Sequence, residues 1–163
     1  MTIRNTQLAD LETIRQIYAC AREQMRRDGN PSQWGDNRPS DAAILEDIRN
    51  SQSFVIEEKE NICGVFAFII GEDPTYEILE QGRWLNEYPY GTIHRLAGNG
   101  SVKGIFNACL AWCLAQIPNI RIDTHRDNII MQHLLDKNGF HKCGIIYVED
   151  NSPRLAYQKS LFT

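Results

Sequence analysis

One stretch of this chain can do chemistry with its backbone alone. Thr92-Ile93-His94-Arg95-Leu96-Ala97 has the composition of a strand, Gly98-Asn99-Gly100-Ser101 breaks it, and Val102-Lys103-Gly104 opens a helix expected to run to about Gln116. A helix start leaves its first amide N–H groups without partners and carries a partial positive charge. Glycines let that backbone approach an anion closely, and such a place suits a phosphate or pyrophosphate. Each hydrogen bond to a charged group is worth roughly 1.5–3 kcal/mol, so a few amides can hold a ligand. Lys103 would add charge at the rim. The spacing is neither Gly-Lys-Ser/Thr nor Gly-x-Gly-x-x-Gly, and taken alone it also fits a plain turn before a structural helix.

The elements that must position this loop can be read from periodicity. Thr2 to Asn5 is strand-like. Leu11, Ile14, Ile17, Tyr18, Ala21 and Met25 recur at helical spacing, and Asp28-Gly29-Asn30-Pro31 stops that helix near Arg27. Ser40 or Asp41 caps a second helix that ends near Asn50. Ser53–Glu57 and Ile62–Ile70 form a hairpin across Glu58-Lys59-Glu60-Asn61. Gly71 to Tyr90 is an irregular aromatic segment. After the Val102–Gln116 helix come a strand at Ile120–Thr124, a helix opened by Asp127 or Asn128 and closed by Asn138-Gly139, and two last strands, Phe140–Val148 and Arg154–Leu161. The order β-α-α-β-β-β-α-β-α-β-β predicts an α/β fold, a mixed sheet with helices on both faces.

Composition narrows the function. The 163 residues suit one domain spanning 1–163, with 42% hydrophobic and 23% charged residues. The formal net charge is −4 and no long basic run exists, which argues against nucleic acid as the main partner. No apolar run nears the roughly 20 residues of a membrane span. Met1-Thr2-Ile3-Arg4 is no signal peptide, so a cytoplasmic protein is expected. The five cysteines, Cys20, Cys63, Cys109, Cys113 and Cys143, are odd in number and irregular in spacing, which implies no disulfide framework. Cys109 and Cys113 sit four apart on the expected helix and could in principle bind zinc with His125, His133 or His141, but no Cys-x-x-Cys pair exists. They read as buried small hydrophobes, and no metal site is expected.

A second unit follows downstream. Ile120-Arg121-Ile122-Asp123-Thr124 leads through His125-Arg126-Asp127 to Asn128 at a helix start, and Lys137-Asn138-Gly139-Phe140 opens the next strand. Strand, Asn opening a helix, then Lys-x-Gly-Phe resembles the second half of the GNAT family of acetyl-CoA-dependent N-acetyltransferases. Ser101-Val102-Lys103-Gly104-Ile105-Phe106 is similar to that family's pyrophosphate loop, written Arg/Gln-x-x-Gly-x-Gly/Ala, and the element order matches over nearly the whole length. Three positions depart from the pattern. Ser101 stands where Arg or Gln is common. Phe106 stands where a small residue is common, and would crowd the helix start. Leu135 occupies the position of the family's frequent general acid, a tyrosine.

The resemblance implies acetyl-CoA as co-substrate and a primary amine of a small molecule or amino-acid-like acceptor. The strand of Leu96 and Ala97 would splay from that of Ile122 and Asp123, leaving a gap for the pantetheine arm. Backbone N–H groups from Val102 through Lys103, Gly104 and Ile105 to Phe106, beside Ser101, would hold the pyrophosphate. Asn128 would bond the pantetheine, with Met131 and Lys137 on the same helix. A backbone N–H near His94 to Leu96 would polarise the thioester carbonyl. His94 is the expected base, since an imidazole suits that task, or else a strand histidine bonded inside the sheet. Asp123 would orient His94 or act alone, or would pair with Arg95 or Arg121. Tyr147 is a possible substitute acid, although a core or interface tyrosine is the better reading. Trp34, Tyr76 and Trp84 would line the acceptor site, or fill the core. The alternative to an enzyme is a non-catalytic acyl-CoA-binding or regulatory module. The last strands could also pair across a homodimer.

Overall fold

The computed structural model describes residues 1–162. Its strands are β1 (Thr2–Asn5), β2 (Ser53–Glu58), β3 (Asn61–Ile70), β4 (Gly91–Gly98), β5 (Asn119–Thr124), β6 (His141–Tyr147) and β7 (Pro153–Ser160). Its helices are α1 (Leu11–Arg27), α2 (Asp41–Arg49), α3 (Ile105–Gln116) and α4 (Ile129–Lys137). All seven strands form one sheet in the order β1-β2-β3-β4-β5-β7-β6, and only the β4–β5 pair is parallel. The element order is the one expected from periodicity. Among the described residues no helix is long and apolar enough to cross a membrane.

Strand alternation divides the core between the two faces. Ile14, Ile17 and Tyr18 of α1 and Ile44 of α2 pack on Val55, Val65 and Ala97. On the other face Phe106, Cys109, Leu110 and Cys113 of α3, with Leu135 of α4, pack on Ile56, Phe66, Ile93, Ile120 and Ile122. Cys109 and Cys113 are 0% exposed there. The first face continues over β5–β7 as a smaller cluster of Tyr76, Tyr90, Ile146 and Ala156. The covering piece is the 71–90 segment, which has one helical turn at Pro74–Tyr76 and is pinned to β6 by a bridge between Glu80 and Ile145. That approach needs a glycine: a Cβ on Gly144 would stand 2.4 Å from the Glu80 carbonyl oxygen.

One boundary differs in a way that matters. The helix expected from Val102 begins only at Ile105, and Gly100 to Lys103 form bends. Gly104 sits at φ +87°, left-handed, so the chain turns sharply there before the helix can start. The delay lengthens the loop between β4 and α3.

Candidate active site

The sheet is torn at its middle. Strands β4 and β5 pair only at Gly91 with Ile120 and Thr92 with Arg121, then diverge. The resulting cleft, about 410 Å³, runs through the sheet. Ile122, Asn128 and Met131 line it toward α4, while Trp34, His94 and Asp123 line it toward the loop after α1.

At the end of the gap, β4 carries a bulge. Val65 pairs with Ala97 and Ala67 with His94, so Arg95 and Leu96 together oppose Phe66. Arg95 has φ +53°, a conformation costing a non-glycine residue about 1–3 kcal/mol. Two side chains hold it. Asp47 of α2 accepts two hydrogen bonds from the Arg95 guanidinium, both 2.8 Å, and the Tyr18 hydroxyl donates to the Arg95 carbonyl at 2.8 Å. Burial pushes the Tyr18 hydroxyl well above its ordinary range, so it remains a donor. Arg95 thus pairs with Asp47, not with Asp123.

Beyond the gap lie the open amides. No side chain caps α3, and its first inward bond runs from Ala108 N–H to Gly104 O at 3.0 Å. Ser101 does not face that row: its hydroxyl and amide are both taken by the Asn99 side chain, at 2.6 and 2.9 Å. Lys103 is exposed. Phe106 does not crowd the helix start. Its ring is 6% exposed and packs into the core, 6.5 Å from the Phe140 ring, so only its amide is presented to the loop.

The polar groups of the cleft form two pairs. His94 Nε2 lies 2.9 Å from Asp73 Oδ2, and the Tyr76 hydroxyl donates to Asp123 Oδ2 at 2.7 Å. Asp123 therefore does not orient His94. Burial alone would raise the Asp73 carboxyl, but the bond and charge of His94 and the Thr75 amide hold it below its ordinary value. Asp73 was missed from sequence. Its signal is the Asp-Pro-Thr run, in which the Asp73 carboxylate caps the turn through Thr75 N–H at 2.9 Å. Tyr76, 2% exposed, stands behind Asp123 as a support and is not among the residues lining the cleft. Trp84 is likewise displaced from the wall: its indole donates to the Tyr76 carbonyl at 3.1 Å, and its ring covers Arg121 at 4.0 Å. Arg121 is held by Trp84, Tyr90 and the Asn86 carbonyl, so it is not the partner of Asp123 either.

Asn128 caps α4, accepting from Met131 N–H at 3.0 Å, and its amide donates to Gln33 Oε1 at 3.0 Å. Gln33 also accepts from Asn30, which ties the loop after α1 to the start of α4. Lys137 is exposed in the last turn of α4, at the far end from Asn128. Leu135 is 0% exposed in the core. Tyr147 is 40% exposed and donates to Glu80 at 3.0 Å, outside the cleft wall.

A parallel pair opened into a V, a bulge at its lip and open helix amides at its end form a construction that recurs in solved proteins. An acetyltransferase of the GNAT family from Streptococcus agalactiae is 29% identical, over 99% of this chain and 96% of that one, with a TM-score of 0.89. This chain has the GNAT acetyltransferase fold. A proposed acetyltransferase from Staphylococcus aureus is 27% identical, over 99% of each chain, with a TM-score of 0.70. A proposed acetyltransferase from Salmonella typhimurium, solved with its cofactor acetyl-CoA, shares the GNAT fold at 16% identity, over 100% of this chain and 95% of that one, with a TM-score of 0.64. No protein-family model and no curated protein matches the chain.

Proposed function

We propose that the protein moves an acetyl group from acetyl-CoA to the primary amine of a small-molecule or amino-acid-like acceptor by direct attack. The observation that carries the reading is the divergence of β4 from β5 beyond Thr92, with uncapped α3 amides at its end. The unpaired edge of β4 at Leu96 and Ala97 offers backbone groups to the pantetheine arm. The amides around Val102, Gly104, Ile105 and Phe106 suit the pyrophosphate, and Asn128 and Met131 flank the opposite wall. Acetyl-CoA supplies an acyl carbon activated as a thioester. The residues here supply position and proton control. The backbone N–H at the Arg95–Leu96 bulge faces developing carbonyl charge, and it is fixed in advance by Asp47 and Tyr18. His94 accepts the proton of the attacking amine, while Asp73 holds the ring and balances the imidazolium. Asp123, steadied by Tyr76, attracts the ammonium form of the acceptor into the cleft, and Trp34 forms part of its wall.

A second reading rests on Leu135. A leucine buried in the core cannot protonate a leaving thiolate, which favours an acyl-CoA-binding module without turnover. Following free-thiol release with a panel of amines separates the two. The enzyme reading expects turnover that falls about 10²- to 10⁴-fold in His94→Ala with CoA affinity retained. Binding of CoA with no turnover on any amine would favour the module.

A further inference from the structure

The cleft holds a cation that acetyl transfer does not use. Arg154, the second residue of β7, is 5% exposed and lines the cleft. Among the described residues its guanidinium donates only to backbone carbonyls, Pro153 O at 2.9 Å and Gln33 O at 3.5 Å. Among the described residues no carboxylate lies within ion-pair distance of it. A guanidinium has five donors in a fixed fork, and two neutral acceptors leave the fork under-satisfied. Burying such a charge unpaired is costly, and arginine does not relieve the cost by losing its proton.

Register fixes where that fork stands. Asp123 pairs with Ala156, so Arg154 is its diagonal neighbour on the same face of the sheet. Such neighbours lie about 7–8 Å apart, a span matched to the two ends of a small zwitterion. Thr124 also lines the cleft, on the face of β5 opposite to Asp123, and has a wholly buried hydroxyl with no partner among the described residues. The other arginines at the cleft are already engaged, Arg38 by Asp150 at 3.1 Å and Arg95 by Asp47 at 2.8 Å. The wall thus offers the Asp123 carboxylate for an ammonium and, one strand over, a fork without a carboxylate partner for an anion.

We propose that Arg154 anchors a carboxylate of the acceptor, so that the substrate is an amino acid or amino-acid-like amine. This rests on the acetyl-transfer reading and names the acceptor's second group. The carboxylate takes two parallel N–H···O bonds from the guanidinium, and the amine is left toward Asp123 and His94.

The test compares the common L-amino acids with their carboxamides, which keep the amine and lose the anion. Each pair is titrated calorimetrically into the CoA-saturated protein and run in the thiol-release assay with acetyl-CoA. The expected result is a preference for one or more acids over the matching amides of at least about tenfold, abolished in Arg154→Gln. The wild-type comparison stands even if that variant does not fold. Equal binding of acids and amides, binding of neither, or a preference that survives in Arg154→Gln would overturn the proposal. Acid-selective binding without turnover would uphold the anchor and sink acetyl transfer. Turnover of amines regardless of carboxylate would do the reverse.

Discussion

His94 Nε2 lies 2.9 Å from Asp73 Oδ2, so the expected base is oriented from the β3–β4 connection and not from β5. Asp73→Asn keeps the shape but cannot balance an imidazolium. Turnover should fall by about 10- to 100-fold with CoA affinity unchanged. Steady-state kinetics with calorimetry on the same variant checks this. Unaltered turnover would remove Asp73 from the proton path.

The Arg95 bulge should be sensitive to side chains that touch no substrate. Asp47→Ala leaves a half-buried guanidinium without its two 2.8 Å bonds. A stability loss of about 1–3 kcal/mol is expected by denaturant unfolding. The drop in kcat should exceed any change in CoA affinity, because the strained φ at Arg95 is no longer held. Tyr18→Phe should act in the same direction and cost about 1 kcal/mol. A wild-type kcat in both variants would sever the bulge from catalysis.

Restoring the missing tyrosine should not restore an acid. Leu135 is 0% exposed, so Leu135→Tyr overfills the α3–α4 core. A destabilisation of about 1–3 kcal/mol with no gain in turnover is expected. A faster enzyme would mean that α4 can turn this position toward the cleft.

Acid should weaken the fold partly through Asp10. The Arg4 hydrogen bond, against the opposing effect of burial, holds its carboxyl below the ordinary 3.8, aided by the Gln7 amide. A depressed folded value means that the stabilisation is fully present above the ordinary value and disappears as pH falls through the lower folded one. Asp10→Asn should therefore be less stable than wild type at neutral pH, with the gap closing below about pH 4. Thermal unfolding across that range reads it, and a constant gap would contradict the assignment.

Much of this fold is legible in local pattern. Leu11, Ile14, Ile17 and Tyr18 announce α1, Ser40 and Asn128 cap the helices that follow them, and each strand alternates or runs apolar. What pattern does not carry is partnership across distance. Nothing near His94 in sequence points to Asp73, 21 residues earlier. Asp123 is paired with Tyr76, 47 residues away. α3 starts three residues later than the expected Val102, because the left-handed Gly104 decides the turn and its conformation is not written in the local pattern. Phe106 was expected to crowd the loop because its side-chain direction depends on where the helix begins. Arg154 reads as an ordinary strand residue until β5 and β7 are put in register.

The central claim is that the β4–β5 gap and the loop ending at Gly104 hold CoA, and calorimetry tests it most directly. Gly104→Asp sets a carboxylate at a left-handed loop position with no crowding nearby, since a Cβ there meets only Met1 Cε at 3.9 Å. The account predicts one CoA bound per wild-type chain and affinity at least about tenfold weaker in the variant, through lost amide contacts and repulsion of phosphate. No CoA binding by the wild type, or undiminished affinity in Gly104→Asp, would contradict it.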